Sequence, residues 1–546
     1  MGLQKFNSWF LISCFYLGLF VFCSCSAKKQ TDKKIFRYNE TSGIASLDPA
    51  FAKNQSIMWA VHQLYNTLVE VDENLQIKPS LATRWEFSED KRIIIFHLRT
   101  DVFFHDDPAF GGGKGRRVTA QDVAYSLDRI INKKTASPGA WIFNNRVDSI
   151  TPFVAIDDST FQLRLLQPFL PILGILSMQY CSVVPREAVE VYGNDFRRHP
   201  VGSGPFAFVA WEEGQALVLT KNQHYFEKDS SGQSYPYLDG IKVNFYDSKA
   251  TEFLEFRQKR LDFINDIDPS FKDEILTKTG NLKKKWQGSL QLNKHPYLNI
   301  EYFGILVDTN NALLKNSPLK IKKVRQAINY SINRKKMMLY LRNSIGTAAE
   351  SGFVPQGLPS FDADLVKGYD YNPEKAKRLL AEAGFNNGTA MPPIKLLTIP
   401  IYSNLASYVA NELKQAGINV QVEAVQKSLL LEQTSKSQAL FFRGSWIADY
   451  PDAENYLSVF YSKNPAPPNY TRYSNPKFDA LYERALQEEA DTVRFDLYRQ
   501  MDRLIVEDAP VVPLWYDMAL HLVHTHISDF YPNGLNMLEL RKARKR

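Results

Sequence analysis

The chain has 546 residues, 44% hydrophobic and 23% charged, and a formal net charge of +7 from 66 basic and 59 acidic side chains. That length is too great for one hydrophobic core, so two or three domains are expected. The charge is thinly spread and no basic stripe carries interleaved aromatics, which argues against nucleic acid as a partner.

Lys5 precedes an apolar run from Trp9 to Phe22, too short for a comfortable membrane span. The run ends at Phe22-Cys23-Ser24-Cys25-Ser26, which resembles a bacterial lipoprotein cleavage site. Ser24 is small, so Cys25 is the lipidation candidate. Cys23 departs from the usual small residue at that position, and an ordinary signal peptide or short anchor is the alternative. Residues 1–24 then read as a signal peptide and 25–34 as a polar, basic tether. Cys181 is the one cysteine far from this segment, so it is expected to be buried and no disulfide framework follows.

Ile35 to Tyr38 reads as the first strand. Ser56 to Val71 has apolar residues at Ile57, Val61, Leu64 and Leu68, a helical spacing. Trp85 to Leu98 alternates as two strands about Ser88-Glu89-Asp90. Phe104 to Arg117 is a loop holding Gly111-Gly112-Gly113-Lys114-Gly115. Its spacing does not fit a phosphate loop, and it reads as a flexible surface loop. Thr119 to Asp122 is a capping-box pattern before a helix with Val123, Leu127 and Ile130 on one face.

Strands follow at Phe161–Leu165, Phe206–Ala210, Leu217–Thr220 and Ile241–Tyr246, with a helix at Thr251–Leu261. Leu298 to Val307 is extended. Val324, Ile328 and Ile332 share a helical face. Asn372-Pro373 opens a helix that Gly384 stops, with Glu374 and Arg378 spaced as a pair. Ile394–Ile399, a helix through Leu405, Val409 and Leu413, and the alternation of Ile418, Val420 and Val422 form a β-α-β unit, which predicts parallel pairing. Asp491 to Val506 is a late helix, Pro510 to Tyr516 is extended, and Leu538 onward reads as a charged tail, loose in solvent or touching anionic lipid.

The strand Ala439 to Phe442 leads into Trp446-Ile447-Ala448-Asp449-Tyr450-Pro451-Asp452. Proline cannot continue a ladder, so the strand is expected to end near Ala448, leaving the Asp449 carboxylate past a strand's carboxyl end. In open α/β sheets ligands bind there. A carboxylate beside a flat aromatic suits an ammonium group.

Catalytic signatures are missing: no His-Glu-x-x-His, nucleophile elbow, kinase set or dinucleotide fingerprint. Val201 stands where a hydrolase elbow around Ser203 needs glycine. His105, Asp106 and Asp107 read as turn residues. His521, His524 and His526 cluster in sequence, but on a strand His524 and His526 share a face that His521 does not. Tyr461, Tyr470 and Tyr473 are candidates to line a cleft.

From Phe36 to Tyr531 the chain resembles the peptide- and nickel-type solute-binding proteins of ABC transporters, extracellular solute-binding family 5. The resemblance lies in seven signposts in family order. They are Leu47-Asp48-Pro49-Ala50, Leu64 to Val69, Phe103-Phe104-His105-Asp106 leading to Val118 to Ser126, Pro200 to Phe206, Val324 to Ile328, Asn372 to Ala376, and Trp446 to Asp452. It implies a two-lobed, type II periplasmic-binding-protein fold of mixed α/β sheets (three-domain cluster C) with two hinge strands. Domain I would comprise residues 35–75, 200–300 and 512–546, domain II 76–199 and domain III 301–511.

The resemblance further implies a non-enzymatic, monomeric receptor without a cofactor, exported to the cell envelope on a lipid anchor. It would capture peptides between its lobes for a membrane permease. A metal or metallophore carrier is the alternative, with a hydrolase behind it. In peptide-binding members the Asp at the Trp-x-x-Asp position holds the ligand's α-ammonium; here that is Asp449, with Trp446, Tyr450 and Tyr402 completing the expected site. Dipeptide-specific members carry an Arg after the strand preceding the β-α-β helix. Thr398 to Asn404 has no cation, which argues against strict dipeptide specificity and leaves the ligand's far end less constrained.

Overall fold

A computed structural model describes residues 33–385 and 391–546. Cys25, the signal segment and most of the tether lie outside the described residues. Alternating burial in the strand Ile35–Asn39 sends Phe36 and Tyr38 into a core where both are almost fully enclosed. This strand runs parallel to Gly240–Asn244, which continues antiparallel into Ala216–Lys221 and then Phe206–Glu212. A second sheet, in the order Ala82–Phe87, Ile93–Leu98, Thr160–Arg164 and Phe153–Ala155, is antiparallel throughout, with its last two strands in reverse chain order. The helix Ala120–Ile131 packs on it through Val123, Leu127 and Ile130, started by the expected capping box at Thr119 and Asp122. One continuous core joins both sheets, so these segments form a single lobe.

The second lobe is built on a seven-stranded mixed sheet. Ile394–Thr398 lies parallel to both Val420–Ala424 and Phe441–Ile447, with the helix Ser403–Gln415 as crossover, as the apolar periodicity predicts. Separate cores fill its two faces, one around Phe303, Val409 and Phe441, the other around Ile300, Tyr302 and Tyr456.

Two strands run through both lobes. Leu290–Ile305 and Val511–His524 pair antiparallel over most of their length and are longer than their apolar stretches suggest. Their far halves carry Gln291, Asn293 and Lys294 opposite Val523, His521 and Leu520, so polar side chains hide the strand signal. The register slips between Pro296 and Ile300. Proline offers no ladder N–H, and the strand bends there as it passes from one lobe to the other.

Three expectations need correction. The helix predicted through Val71 stops at Leu64. Gly204 donates its amide to the Leu64 carbonyl at 2.9 Å, taking the acceptor the next turn needs. A Cβ at Gly202 would sit 2.0 Å from that carbonyl oxygen, so only glycine lets the two segments approach. Glu374 pairs with Lys377 rather than Arg378, which lies 3.9 Å from Glu382.

The charged tail is no loose terminus. Leu538, Leu540 and Ala543 are buried, and Arg544–Lys545 pairs with Ile527–Ser528. Gln63 donates to the Leu538 carbonyl at 2.6 Å and Trp59 to that of Asn536 at 2.7 Å, so the segment is stitched beneath the helix Gln55–Leu64.

Candidate functional site

A cavity of about 490 Å³ lies between the lobes, within the range of small-molecule and peptide sites. The first lobe contributes Tyr65, Asn66 and Gln179 to its wall, the second Ile447 and Asp449, the crossing strand Tyr297. Beside it the lobes touch: Leu170 donates its amide to Leu486 at 3.1 Å, and Lys91 pairs with Glu489 at 2.9 Å.

Asp449 arises as the sequence suggests. The strand ends at Ile447, the Ala448 amide still bonds Leu298 at 2.9 Å, and Tyr450-Pro451 turns the chain away. Asp452 accepts the Glu454 amide at 2.8 Å, and a short helix, Glu454–Leu457, folds back. This return brings Asn455 against Asp449. Its amide nitrogen donates to the carboxylate at 3.3 Å, while its oxygen accepts the Asp449 N–H at 3.3 Å and the Trp446 indole N–H at 2.9 Å.

Among the described residues the Asp449 carboxylate forms no ion pair. It is accessible from the cavity, yet the cleft walls shield it from bulk solvent. That enclosure pushes its carboxyl above the ordinary 3.8, against the opposing pull of Asn455 and the more distant Arg146. A carboxylate in this state gains from an incoming cation.

The other expected site residues are placed differently. Trp446 lies on the strand face opposite Ile447, half-buried against the Ile300 and Tyr302 core. It therefore holds Asn455 and does not form the cavity wall. Tyr450 is 1% exposed; its hydroxyl and that of Tyr482 both donate to the buried Glu454, and its ring faces Gly174 of the first lobe. It serves the contact between lobes, because the Pro451 turn points it inward.

Tyr402 stands apart in a charged belt. Arg443 lies 4.2 Å over its ring and pairs with Glu301 at 2.6 Å, and the Tyr402 hydroxyl donates to the same carboxylate at 3.3 Å. Arg342, paired with Asp517 at 3.0 Å, adjoins them. The local segment has no cation, as read, but the neighbouring strand supplies one. Tyr461 stacks on Tyr482, and Tyr473 is buried in the core beneath; neither is on the cavity wall.

The histidines do not converge. His521 faces Asn536 at 2.8 Å, His524 the Phe256 carbonyl at 2.8 Å and His526 Asp262 at 2.8 Å. Among the described residues no three His, Cys, Asp or Glu are grouped to hold a metal ion. Ser203 is buried and donates to Asn66, and the Gly111–Gly115 loop is a surface turn whose Lys114 pairs with Asp106.

The cavity floor comes from a residue that sequence reading assigned to the tail. Arg541 is 6% exposed and meets Glu70 at 2.7 Å, Glu227 at 2.8 Å and Glu539 at 3.0 Å. Burial pushes the Glu539 carboxyl up, but Arg541 and His62, 3.3 Å away, outweigh it and hold it at about 2. The strand-like alternation of Leu538 and Leu540 with Glu539 and Arg541 is the signal that could have revealed this segment.

Residues 76–468 match the family described as bacterial extracellular solute-binding proteins, family 5 Middle. The chain belongs to that family. Family 5 relatives match along nearly the whole chain. Heme-binding protein A of Haemophilus influenzae is 26% identical over 90% of this chain and 88% of its own length. The periplasmic oligopeptide-binding protein OppA of Salmonella typhimurium is 26% identical over 91% of this chain and 90% of its own. The solved structure of HbpA2 from Haemophilus parasuis superposes with a TM-score of 0.81, at 22% identity, over 94% of this chain and 100% of that one. The two-lobed family 5 fold is thereby established, and among the described residues no helix is long and apolar enough to cross a membrane.

Proposed function

We propose that this protein is the solute-receiving component of an ABC importer and binds a peptide in the cavity between its lobes. Asp449 pairs with the peptide's α-ammonium, and Asn455, held by Trp446, aims the carboxylate. The observation that carries this reading is the state of Asp449. It faces the cavity, has a neutral hydrogen-bonding partner, and its charge is penalised by enclosure until a cation arrives.

Relatives named for oligopeptide and dipeptide binding support the peptide class. The contacts Leu170–Leu486 and Lys91–Glu489 then belong to a closed state that ligand favours by touching both lobes. Domain I is assigned to residues 35–75, 200–300 and 512–546, domain II to 76–199 and domain III to 301–511. The chain acts as an exported monomer, lipid-anchored through Cys25, without catalysis of its own.

Titration calorimetry with a peptide set, free and N-acetylated, tests the site. Acetylation is expected to weaken binding at least tenfold, the size of a lost charged hydrogen bond. Equal affinity for both forms removes the ammonium from Asp449.

A further inference from the structure

The first-lobe wall of the cavity is rich in one kind of side chain. The cavity is lined by 31 of the 546 residues, yet these include Met58, Met178 and Met537, three of the nine methionines. Three separate segments bring them there. Along the helix Gln55–Leu64 and its cap Tyr65, the spacing of Gln55, Met58, His62 and Tyr65 sets them on one face, and that face lines the cavity. Met537 is laid against this helix, because the preceding Asn536 carbonyl accepts the Trp59 indole N–H at 2.7 Å. Met178 follows the turn at Gly174 that meets Tyr450, its amide bonded to the Ile175 carbonyl at 3.0 Å, which places it toward the Asp449 end of the wall. Met58 and Met537 are half-buried: each packs on the first-lobe core and also lines the cavity.

The second lobe presents an apolar group to the same space. Ile447 is 49% exposed and lines the cavity. It stands two residues before Asp449, and the Ala448 amide between them is bonded to Leu298 at 2.9 Å. The chain is extended there, so the two side chains leave one face about 7 Å apart, the span of two residues in an extended peptide. An aliphatic side chain beside a carboxylate that gains from a cation matches a ligand with an apolar group close to its ammonium.

Most charges of the opposing wall are engaged within the fold. Arg541 holds Glu70 and Glu539, Lys78 holds Asp72 at 3.4 Å, and Arg544 holds Asp529 at 3.2 Å. The thioether side chains remain as surface for a ligand to cover.

From this arrangement we infer that the ligand carries a large apolar side chain within its first three residues, held between Ile447 and the three methionines. Methionine is unbranched and polarisable, so such a wall repacks around different shapes. The site therefore selects apolar bulk without choosing among leucine, methionine and phenylalanine. This inference rests on the peptide reading above and narrows it.

The test is calorimetry of the full chain with free-amine peptides of one length, in which each of the first three positions carries Ala, Leu, Met or Phe in turn. At one position or more, the three large side chains are expected to bind about tenfold tighter than Ala and within about threefold of one another. The double variant Met58→Ile, Met537→Ile keeps the wall apolar but stiffens it, and the Leu, Met and Phe affinities should then spread over about tenfold. Methionine methyl NMR of the unaltered chain is a second readout that needs no variant. Met58, Met178 and Met537 should shift as peptide binds, while Met337 and Met338, buried in the second-lobe core, stay in place.

Equal affinity for Ala and the large side chains at all three positions overturns the inference and leaves the ammonium reading standing. Unmoved signals from all three cavity methionines, or a double variant whose three affinities stay together, overturn it as well. An apolar preference that survives N-acetylation undiminished keeps the inference and removes the ammonium from Asp449. Binding of no peptide removes both.

Discussion

Two carboxylates on the cavity wall, Asp449 and Glu539, are held in opposite ways. Glu539 is tied to Arg541 and His62 and sits far below the ordinary carboxyl range. Asp449 has Asn455 as its direct partner and is pushed up by enclosure. The first belongs to the scaffold: its charge is paid for within the fold. The second is left in want of a cation, which is what a binding residue requires and a structural residue avoids.

The largest effect should come from breaking the satisfied side. Arg541→Met leaves three enclosed carboxylates without their guanidinium. Urea unfolding should show a loss of about 3–5 kcal/mol, the usual cost of removing one partner from a buried pair. A loss below about 1 kcal/mol would mean the floor is hydrated and loosely coupled.

The two carboxylates also predict opposite responses to pH. The Glu539 carboxyl titrates near 4.5 when unfolded and about 2 when folded. Its stabilisation, about 3 kcal/mol, is complete above 4.5 and is lost as pH falls toward about 2. Asp449 does the reverse: its native carboxyl holds a proton above 3.8, so its share of stability declines as pH rises through that window. Unfolding followed across acid pH in Glu539→Gln should lose the first slope, while Asp449→Asn should lose the second.

Asp449→Asn should weaken binding of a free-amine peptide by about 2–3 kcal/mol in calorimetry and leave the unfolding midpoint unchanged or raised. A variant that lost stability instead would move Asp449 to the structural class. The smallest effect is expected from Trp446→Phe, which keeps most of the packing and removes the indole donor to Asn455. About 1 kcal/mol should be lost from peptide affinity as the amide loses its anchor. Unaltered affinity would show that Asn455 needs no such support.

Most elements were legible because they bury one face. Ile394 to Val422 shows its helix and strands by period alone, and the Tyr450-Pro451 turn marks where the strand that carries Trp446 stops. Legibility fell where polar side chains were buried by distant partners. The alternation around Leu540 was visible, yet nothing local tells that Arg541 meets Glu70 across more than four hundred residues. Tyr450 looked like a site residue because it neighbours Asp449, but a turn at proline sends adjacent side chains in different directions.

Sequence by itself determined the family, the mixed two-lobed architecture and the strand end at which Asp449 stands. Those follow from apolar period, proline and glycine, which act over a few residues. Only the tertiary structure decided which polar groups meet. Asn455 comes beneath Asp449 because the chain folds back, Arg443 lies over Tyr402 from the adjacent strand, and the C-terminal segment becomes the floor of the cavity. Pairing among charges depends on distance and on shielding from water, and neither is set until the chain has closed around them.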